Sequence, residues 1–589
     1  MAHDTQHQRG MTMRSMWKGT LVGVVALLAL AGSAPVAHAV CGDLNGNGSL
    51  TIADCVQLFD VIAGPPDPSG LCGGAGALQC GDLNADGTIG IADGVICLNA
   101  VAGNETLFPL CTGSAAPIAC PGGTATIASN VASNQTWPST CTILLDGTIF
   151  VTSNVVLTIQ PGTVIKGKKN STNSTPSALI FLRDAKLNAA GTAAAPIVFT
   201  SDQAPGSRSK GDWGGVMLNG RAPVNVPGGE GLAEGLAGVA FGGTDPNDSS
   251  GVVRFVRVEF AGRELSVDNE LNLFTMNGVG AGTTIDHLQA HFGLDDCIEW
   301  FGGTVNSKFL VASACGDDGL DWQLGTTGAV QFALQAQYLP AVEPGGSNGF
   351  EGDNNENGHN LLPRSAPRFC NVTALGTNGQ TGTAPATNMI GMLLRRGTAG
   401  TFANTIVAGY AKVGMELRDN STSAVACTGS KALTGNLTVK NSIFFNNGPS
   451  GNVHCGQSTG TNTPCTGCEL YDLWANSQGV VPDLCGSVAL GCADQTPVVD
   501  PLVSLAWPPT DPRPGIGSPA GSGATDCSLT DPFFTATTYI GAFSPAAPTG
   551  WRRPATGSAS RPTRLPWAGR GARPPWPSGR PISTLTRLT

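Results

Sequence analysis

Short runs in which apolar residues alternate with polar ones recur along most of this chain. The clearest are Thr142-Ile143-Leu144, Val155 to Ile159, Ala178 to Leu182, Ile197 to Thr200 and Val252 to Phe260, set between Gly, Asn and Thr turns. Alternation of period two between such breakers predicts β-strands. No stretch of helical periodicity competes with them between about Pro121 and Pro545. The runs return roughly every 20 to 25 residues, an interval that suits one coil of a parallel β-helix, where each turn stacks on the last around a continuous apolar interior. A β-sandwich would use similar strands, but about 425 residues is too long for one.

A register match inside this region supports the coils. G-L-D-D-C-I-E-W at Gly293 to Trp300 returns as G-D-D-G-L-D-W at Gly316 to Trp322. Asp295 and Asp317, Asp296 and Asp318, Glu299 and Asp321, and Trp300 and Trp322 are each 22 apart. One coil of that length would stack each pair at roughly 4.8 Å.

Nearer the N-terminus, helical periodicity appears behind polar loops. Cys41 to Gly64 and Cys80 to Gly103 are copies of one motif, offset by 39 residues. Oxygen-bearing side chains stand at loop positions 1, 3, 5 and 12: Asp43, Asn45, Asn47 and Asp54, then Asp82, Asn84, Asp86 and Asp93. Gly48 and Gly87 hold position 6, and Ser49 and Thr88 offer a backbone carbonyl at position 7. Calcium takes six to eight hard oxygens, and a 12-residue loop with a Gly bend wraps them around one ion. Asn47 replaces a carboxylate, so the first site should be the weaker. A helix is expected after each loop, with Val56, Leu58, Phe59 and Ile62 of the first facing a small core. Two Asx-rich turns without metal are the other reading, and the shared register counts against it.

Ahead of these copies, Arg14 and Lys18 precede the apolar run Leu21 to Gly32, and Ala37-His38-Ala39 puts small residues at both positions of a cleavage site. That is the layout of a signal peptide. About 12 apolar residues are too few to span a bilayer, which needs roughly 20. The expectation is therefore export, with Val40 as the first mature residue and no transmembrane anchor. The 18 cysteines fit an oxidising compartment. Cys465-x-x-Cys468 could be half a zinc site, but no second pair of matching spacing follows with a histidine, so disulfides are expected, with connectivity unread.

Charge refines the picture. Only 13% of residues are charged while 41% are hydrophobic, so the chain can bury sizeable cores and is not disordered by charge repulsion. Gly, at 81 of 589 residues, is far too sparse for collagen. A net charge of -10 argues against a nucleic-acid partner. Residues 1–39 carry a net +2 and residues 551–589 carry +8, which leaves -20 on residues 40–550. Residues 551–589 have eight Arg, seven Pro and three Trp without Asp, Glu or Lys. This segment reads as GC-rich DNA translated in a shifted frame or as a disordered basic tail for an anionic surface. No fold is expected there.

Two resemblances follow from these motifs. Cys41 to Asn104 resembles a dockerin, through its D-L-N-x-[DN]-G starts, Asp at position 12 and one helix after each loop. The resemblance implies bound calcium and a cohesin-like partner contacting Ile52-Ala53 and Ile91-Ala92. Those positions are apolar where the family often carries hydroxyls, and the six cysteines are unusual, so an intramolecular or stalk role stands beside docking. Val156 to Gly167, Ala195 to Ser201, Gly211 to Gly215 and Glu299 to Val305 resemble secreted right-handed β-helix proteins of the pectin-lyase-like superfamily. That resemblance implies a fold and an extracellular or surface setting, without a reaction. The expected chain is mainly β: a right-handed parallel β-helix with a small N-terminal α-helical, EF-hand-like calcium module. Its parts are a signal peptide (1–39), the calcium module (40–111), a linker (112–134), the β-helix (135–545, Cys-rich from about 455) and the tail (546–589).

Six carboxylates on two stacked coils raise one another's pKa. They therefore bind a cation, pair with Arg254, Arg257, Arg395 or Arg396, or keep protons for acid chemistry, and Glu351, Asp353 and Glu356 are placed to join them. Leu294 to Ile298 is similar to the D-D motif of polygalacturonases, which makes Asp295, Asp296, Asp317 and Asp318 the catalytic candidates. The match is incomplete: Leu273 stands a coil before Asp295 where an Asp is wanted, and His359 lacks flanking glycines. In the structural reading the ladder binds calcium or caps the stack, and the domain meets a polysaccharide or cell-surface glycan. Trp213, Trp300, Phe301 and Trp322 stack on sugars in one reading and fill the core in the other. The leading expectation is a secreted calcium-binding protein that binds polysaccharide or another surface. Polysaccharide cleavage is the alternative.

Overall fold

The computed structural model describes residues 52–63, 94, 97–98, 117–448 apart from short stretches (173–174, 267–268, 343–346, 379, 381–388, 420, 423–424 and 426–435), 453–455, 500–505 and 511–545. The signal peptide, the basic tail and the loop residues Asp43, Asn45, Asn47, Ser49, Asp82, Asn84, Asp86, Thr88 and Asp93 lie outside these described residues.

The alternating runs form the predicted strands, among them Thr142–Leu145, Val156–Ile159, Ala178–Phe181, Ile197–Ser201 and Gly251–Glu259. The chain crosses between two sheets within every coil, as in Phe274–Asn277, Thr284–His291, Ile298–Phe301, Asn306–Ser313, Leu320–Gln323 and Ala329–Ala336. The first sheet runs in order from Thr124–Ile127 to Leu437–Lys440, and the second from Thr148–Val151 to Val453–Cys455. Pairing within both sheets is parallel throughout, as in Ile298↔Leu320 and Leu288↔Leu310. This is the arrangement of a parallel β-helix. Early strands bury every second residue: Ile143 and Leu145, then Ile149 and Val151. Later strands are buried on both faces, as over Ala329–Ala336, because the segment 520–543 lies on the first sheet's outer side. There Ile540, Ala542 and Phe543 join the core cluster of Leu334 and Ile406. Gln331 exchanges two hydrogen bonds with the Thr535 backbone (2.7 and 2.8 Å), and Cys527 is bonded to Cys370.

Each long strand of the first sheet bends at one register position. Phe255, His287, Phe309, Phe332, Asn371 and Asn404 all have φ between 47° and 60° there. A left-handed backbone costs roughly 1–2 kcal/mol at a non-Gly residue. Ring stacking offsets part of that cost, with centroids 4.1 Å apart for Phe255–His287, 4.4 Å for His287–Phe309 and 5.1 Å for Phe309–Phe332.

Trp213, Trp300, Phe301 and Trp322 are all buried, at 0%, 2%, 6% and 0% exposure. The core reading of these rings replaces the sugar-stacking one. Trp322 sits among Phe350, Phe369 and Phe402. A side chain at Gly352 would run into its indole, so only hydrogen fits at that point of the next coil.

In the N-terminal segment, one helix, Ile52–Ala63, follows the first loop. It buries Asp54, Cys55 and Leu58 and exposes Ile52, Ala53 and Val56. Val56 therefore faces solvent rather than the expected core, since one helical face takes positions 54, 55 and 58 together. Cys55 is bonded to Cys97, and the Phe59 ring covers Gly94, leaving no room for a side chain there. Gly94, Cys97 and Leu98 of the second copy are helical as well, while most of the calcium-loop residues that would define the duplicated module lie outside the described residues.

Candidate functional site: a carboxylate ladder on the second sheet

The second sheet brings the acidic residues of separate coils into one row. Thr275, Glu299, Asp321 and Glu351 are successive cross-strand partners on parallel strands. Trp300 and Trp322 pair one position along, facing the interior. The stacking of Glu299 on Asp321 that the 22-residue spacing suggested is present, and Glu351 extends the row, as the nearby acidic segment led us to expect.

A second row runs beside the first, at the turn entering each strand. Asn272 Oδ1 accepts the Asp296 backbone N–H at 3.2 Å, Asp296 Oδ1 accepts that of Asp318 at 2.8 Å, and Asp318 Oδ1 accepts that of Asn348. Three Asx side chains thus each accept a backbone N–H from the following coil, which satisfies turn amides that the sheet ladder leaves unpaired. Asp296 and Asp318 are buried in this role, while Asp295 and Asp317 remain half-exposed. Asn272, not Leu273, stands on this row because the preceding coil is 24 residues long, as the Thr275↔Glu299 pairing shows. The next coil lengthens to 30 residues, placing Glu351 on Asp321. Unequal coils hid both Asn272 and Asn348 from a fixed-period search.

Charge accumulates where the rows meet. Burial, and then the neighbouring Asp295, Asp321, Asp318 and Glu299 carboxylates, push Asp296 well above the usual carboxylate range. Burial also raises Glu299, with Glu234 its strongest charged neighbour. Asp318 is pushed up to about 8 by burial and by Asp317. Asp321 rises through burial and then through Glu299 and Glu351, and Glu351 rises through burial and Asp318. Asn272 and Gln323 donate to Glu299, and Asn348 donates to Asp318 and Glu351. Asp321 Oδ1 is out of reach of solvent and has no hydrogen-bond partner.

Arginines close the far end of the row. Arg395 bonds Glu351 and, at 2.9 Å, Asp353; Arg396 bonds Asp353 at 2.7 Å and Glu356 at 3.3 Å. Burial alone would lower Arg395, but Glu351 and Asp353 outweigh it and hold the guanidinium charged. Of the four arginines considered from the sequence, Arg395 and Arg396 meet this cluster, whereas Arg257 pairs with Glu259 on the first sheet. On the opposite flank, Asn225 donates to Asn354 Oδ1 at 2.7 Å and accepts from Asn355 at 3.0 Å. This buried amide node ties the segment around Asn225 to the loop after Asp353. Composition gave no hint of it, since Asn is common throughout the chain.

The donors present suit a hard divalent cation. Three groups have ligand oxygens within 4.8 Å of one another: Asp295, Asp296 and Asp317; Asp296, Glu299 and Asp321; and Asp318, Asp321 and Glu351. Carboxylate-only sets match calcium or magnesium rather than zinc or copper, and Asp321 belongs to two of the three groups. The fold around this ladder is that of a described family: the pectate-lyase-like β-helix domain matches residues 129–466. No curated protein and no solved structure matched the chain.

Proposed function

The chain belongs to the pectate-lyase-like β-helix family, and on that premise we propose that it is an exported calcium-binding protein whose β-helix binds acidic polysaccharide through cations held on the ladder. The observation that carries this reading is the set of five raised carboxyls, one of which, Asp321, has a buried oxygen without a hydrogen-bond partner. Like charges in a dry row are costly unless a proton or a cation neutralises them. Asp296, Glu299, Asp318, Asp321 and Glu351 would hold the ion, and Asp295 and Asp317 would complete its solvent side. Such an ion supplies a positive centre for a sugar carboxylate, while Arg396, about a quarter exposed, offers a second.

The N-terminal copies would bind calcium at Asp43, Asn45, Asn47, Ser49 and Asp54, and at Asp82, Asn84, Asp86, Thr88 and Asp93, and dock to a cohesin-like partner. Exposed Ile52 and Val56 on one helix face support that docking role. Export is supported by the disulfides Cys55–Cys97, Cys120–Cys141, Cys297–Cys315 and Cys370–Cys527. Among the described residues, no helix is long and apolar enough to cross a membrane.

Calorimetric titration of the chelator-stripped chain tests the proposal. The intact chain should bind more calcium than Asp321→Asn, and an acidic polysaccharide should bind only the calcium-loaded form. Equal calcium binding by the variant would refute it. Cleavage by Asp295, Asp296, Asp317 and Asp318 is read in parallel from reducing ends and from ultraviolet-absorbing unsaturated product. With Asp296 and Asp318 engaged by backbone amides, both signals should stay flat.

A further inference from the structure

His359 stands outside both carboxylate rows, in the loop after Asp353, and its ring is held by side chains that follow the strand Val413–Leu417. His359 Nδ1 meets Ser421 Oγ at 2.7 Å, and Ser421 Oγ meets Asp419 Oδ1 at 2.5 Å. Asp419 also accepts the Thr422 N–H at 2.9 Å and the Arg396 N–H at 2.6 Å, so both of its oxygens act as acceptors. The Ser421 hydroxyl hydrogen therefore goes to Asp419, and Ser421 Oγ has to accept from the ring. In a neutral His359 this puts the proton on Nδ1 and leaves the lone pair on Nε2. Among the described residues none hydrogen-bonds Nε2, and the side chain is only half-buried.

The loop is pinned against the end of the ladder. The His359 carbonyl accepts from Asn354 at 3.1 Å and from Arg364 at 3.0 Å, and Arg364 also bonds the Gly397 carbonyl. Arg396, beside Gly397, pairs with Glu356, three residues before His359. His359 and Arg396 thus stand on adjoining segments, tied together through Asp419. We propose that they form one sugar subsite, with Arg396 taking the carboxylate of an acidic sugar and His359 Nε2 accepting a hydrogen bond from a ring hydroxyl beside it. This rests on the polysaccharide reading above and adds which substituent is read. Ser421 and Asp419 are positioning residues, because they fix the ring and its tautomer. An imidazole lone pair finds a donor in a free hydroxyl and none in an ester, so the subsite distinguishes free from O-acetylated sugar.

Two measurements on the full chain test this. The ¹⁵N resonances of His359 should place its proton on Nδ1, and that preference should disappear in Ser421→Ala. Titrations in calcium then compare polygalacturonate with its O-acetylated form. The intact chain should bind the acetylated polymer roughly fivefold more weakly, the worth of one hydrogen bond, whereas His359→Ala should bind both alike. Should His359→Ala not fold, Ser421→Ala should show the same loss of preference. A proton on Nε2 in the intact chain, or an equal effect of acetylation in the intact chain and the variant, overturns the subsite and leaves the cation reading standing. If the intact chain binds neither polymer in calcium, the polysaccharide reading fails and the subsite fails with it.

Discussion

Asp321 is paired across the strands with Glu299 on one side and Glu351 on the other, so its charge is opposed from both directions. Replacing it with Asn keeps the shape and removes one charge. In chelator at mildly alkaline pH, Asp321→Asn should therefore raise stability by about 1–2 kcal/mol, read from denaturant unfolding, while weakening calcium binding. A rise in both, or a fall in both, would not fit a repelling row that a cation relieves. Gly352 tests the core behind it. Gly352→Ala forces a methyl against the Trp322 indole and should cost about 1–3 kcal/mol. The double variant Gly352→Ala/Trp322→Phe should recover part of that loss in thermal unfolding. At this scale the sequence was informative where coil length was constant: Glu299 with Asp321 and Trp300 with Trp322 follow from one 22-residue offset. Asn272 and Asn348, and the pairing of Glu351 with Asp321, needed the actual lengths of the neighbouring coils, which are set by turns that no period describes.

The Asx row and the carboxylate row are properties of stacked elements, and their signature is a pH dependence. Asp318 keeps its proton up to about 8 in the folded chain, whereas an exposed Asp ionises near pH ~4. Between those values the folded state binds more protons than the unfolded one, so stability falls as pH rises through the window. The chelated chain should melt at a higher temperature near pH ~5 than near pH ~8. Saturating calcium should flatten the profile, because the cation replaces the proton. Asp318→Asn should make the chelated profile shallower without abolishing it, since Asp296, Glu299, Asp321 and Glu351 stay raised. A metal-free melting temperature that climbs over this range would contradict the assignment. The strands themselves were legible from period-two alternation. The left-handed bends at Phe255, His287, Phe309, Phe332, Asn371 and Asn404 were not, since three phenylalanines, a histidine and two asparagines share one backbone position and no residue type marks it.

Across the whole molecule, the acidity that looked modest at -10 is -20 over residues 40–550, and part of it is gathered in the three coils from Asp295 to Asp353. The β-helix was readable from its repeat, and the family match over residues 129–466 agrees with it. The covering of the first sheet by residues 520–543 was not readable, because its links are hydrogen bonds from side-chain amides and a disulfide spanning 157 residues. On the proposed function, calcium on the ladder joins a carboxylate-bearing polysaccharide to the β-helix. Titration of polygalacturonate into the intact chain, with calcium and then with chelator, and into Asp321→Asn with calcium, tests it most directly. Saturable binding is expected in the first case and at least tenfold weaker binding in the other two. Binding that is the same in all three would contradict it.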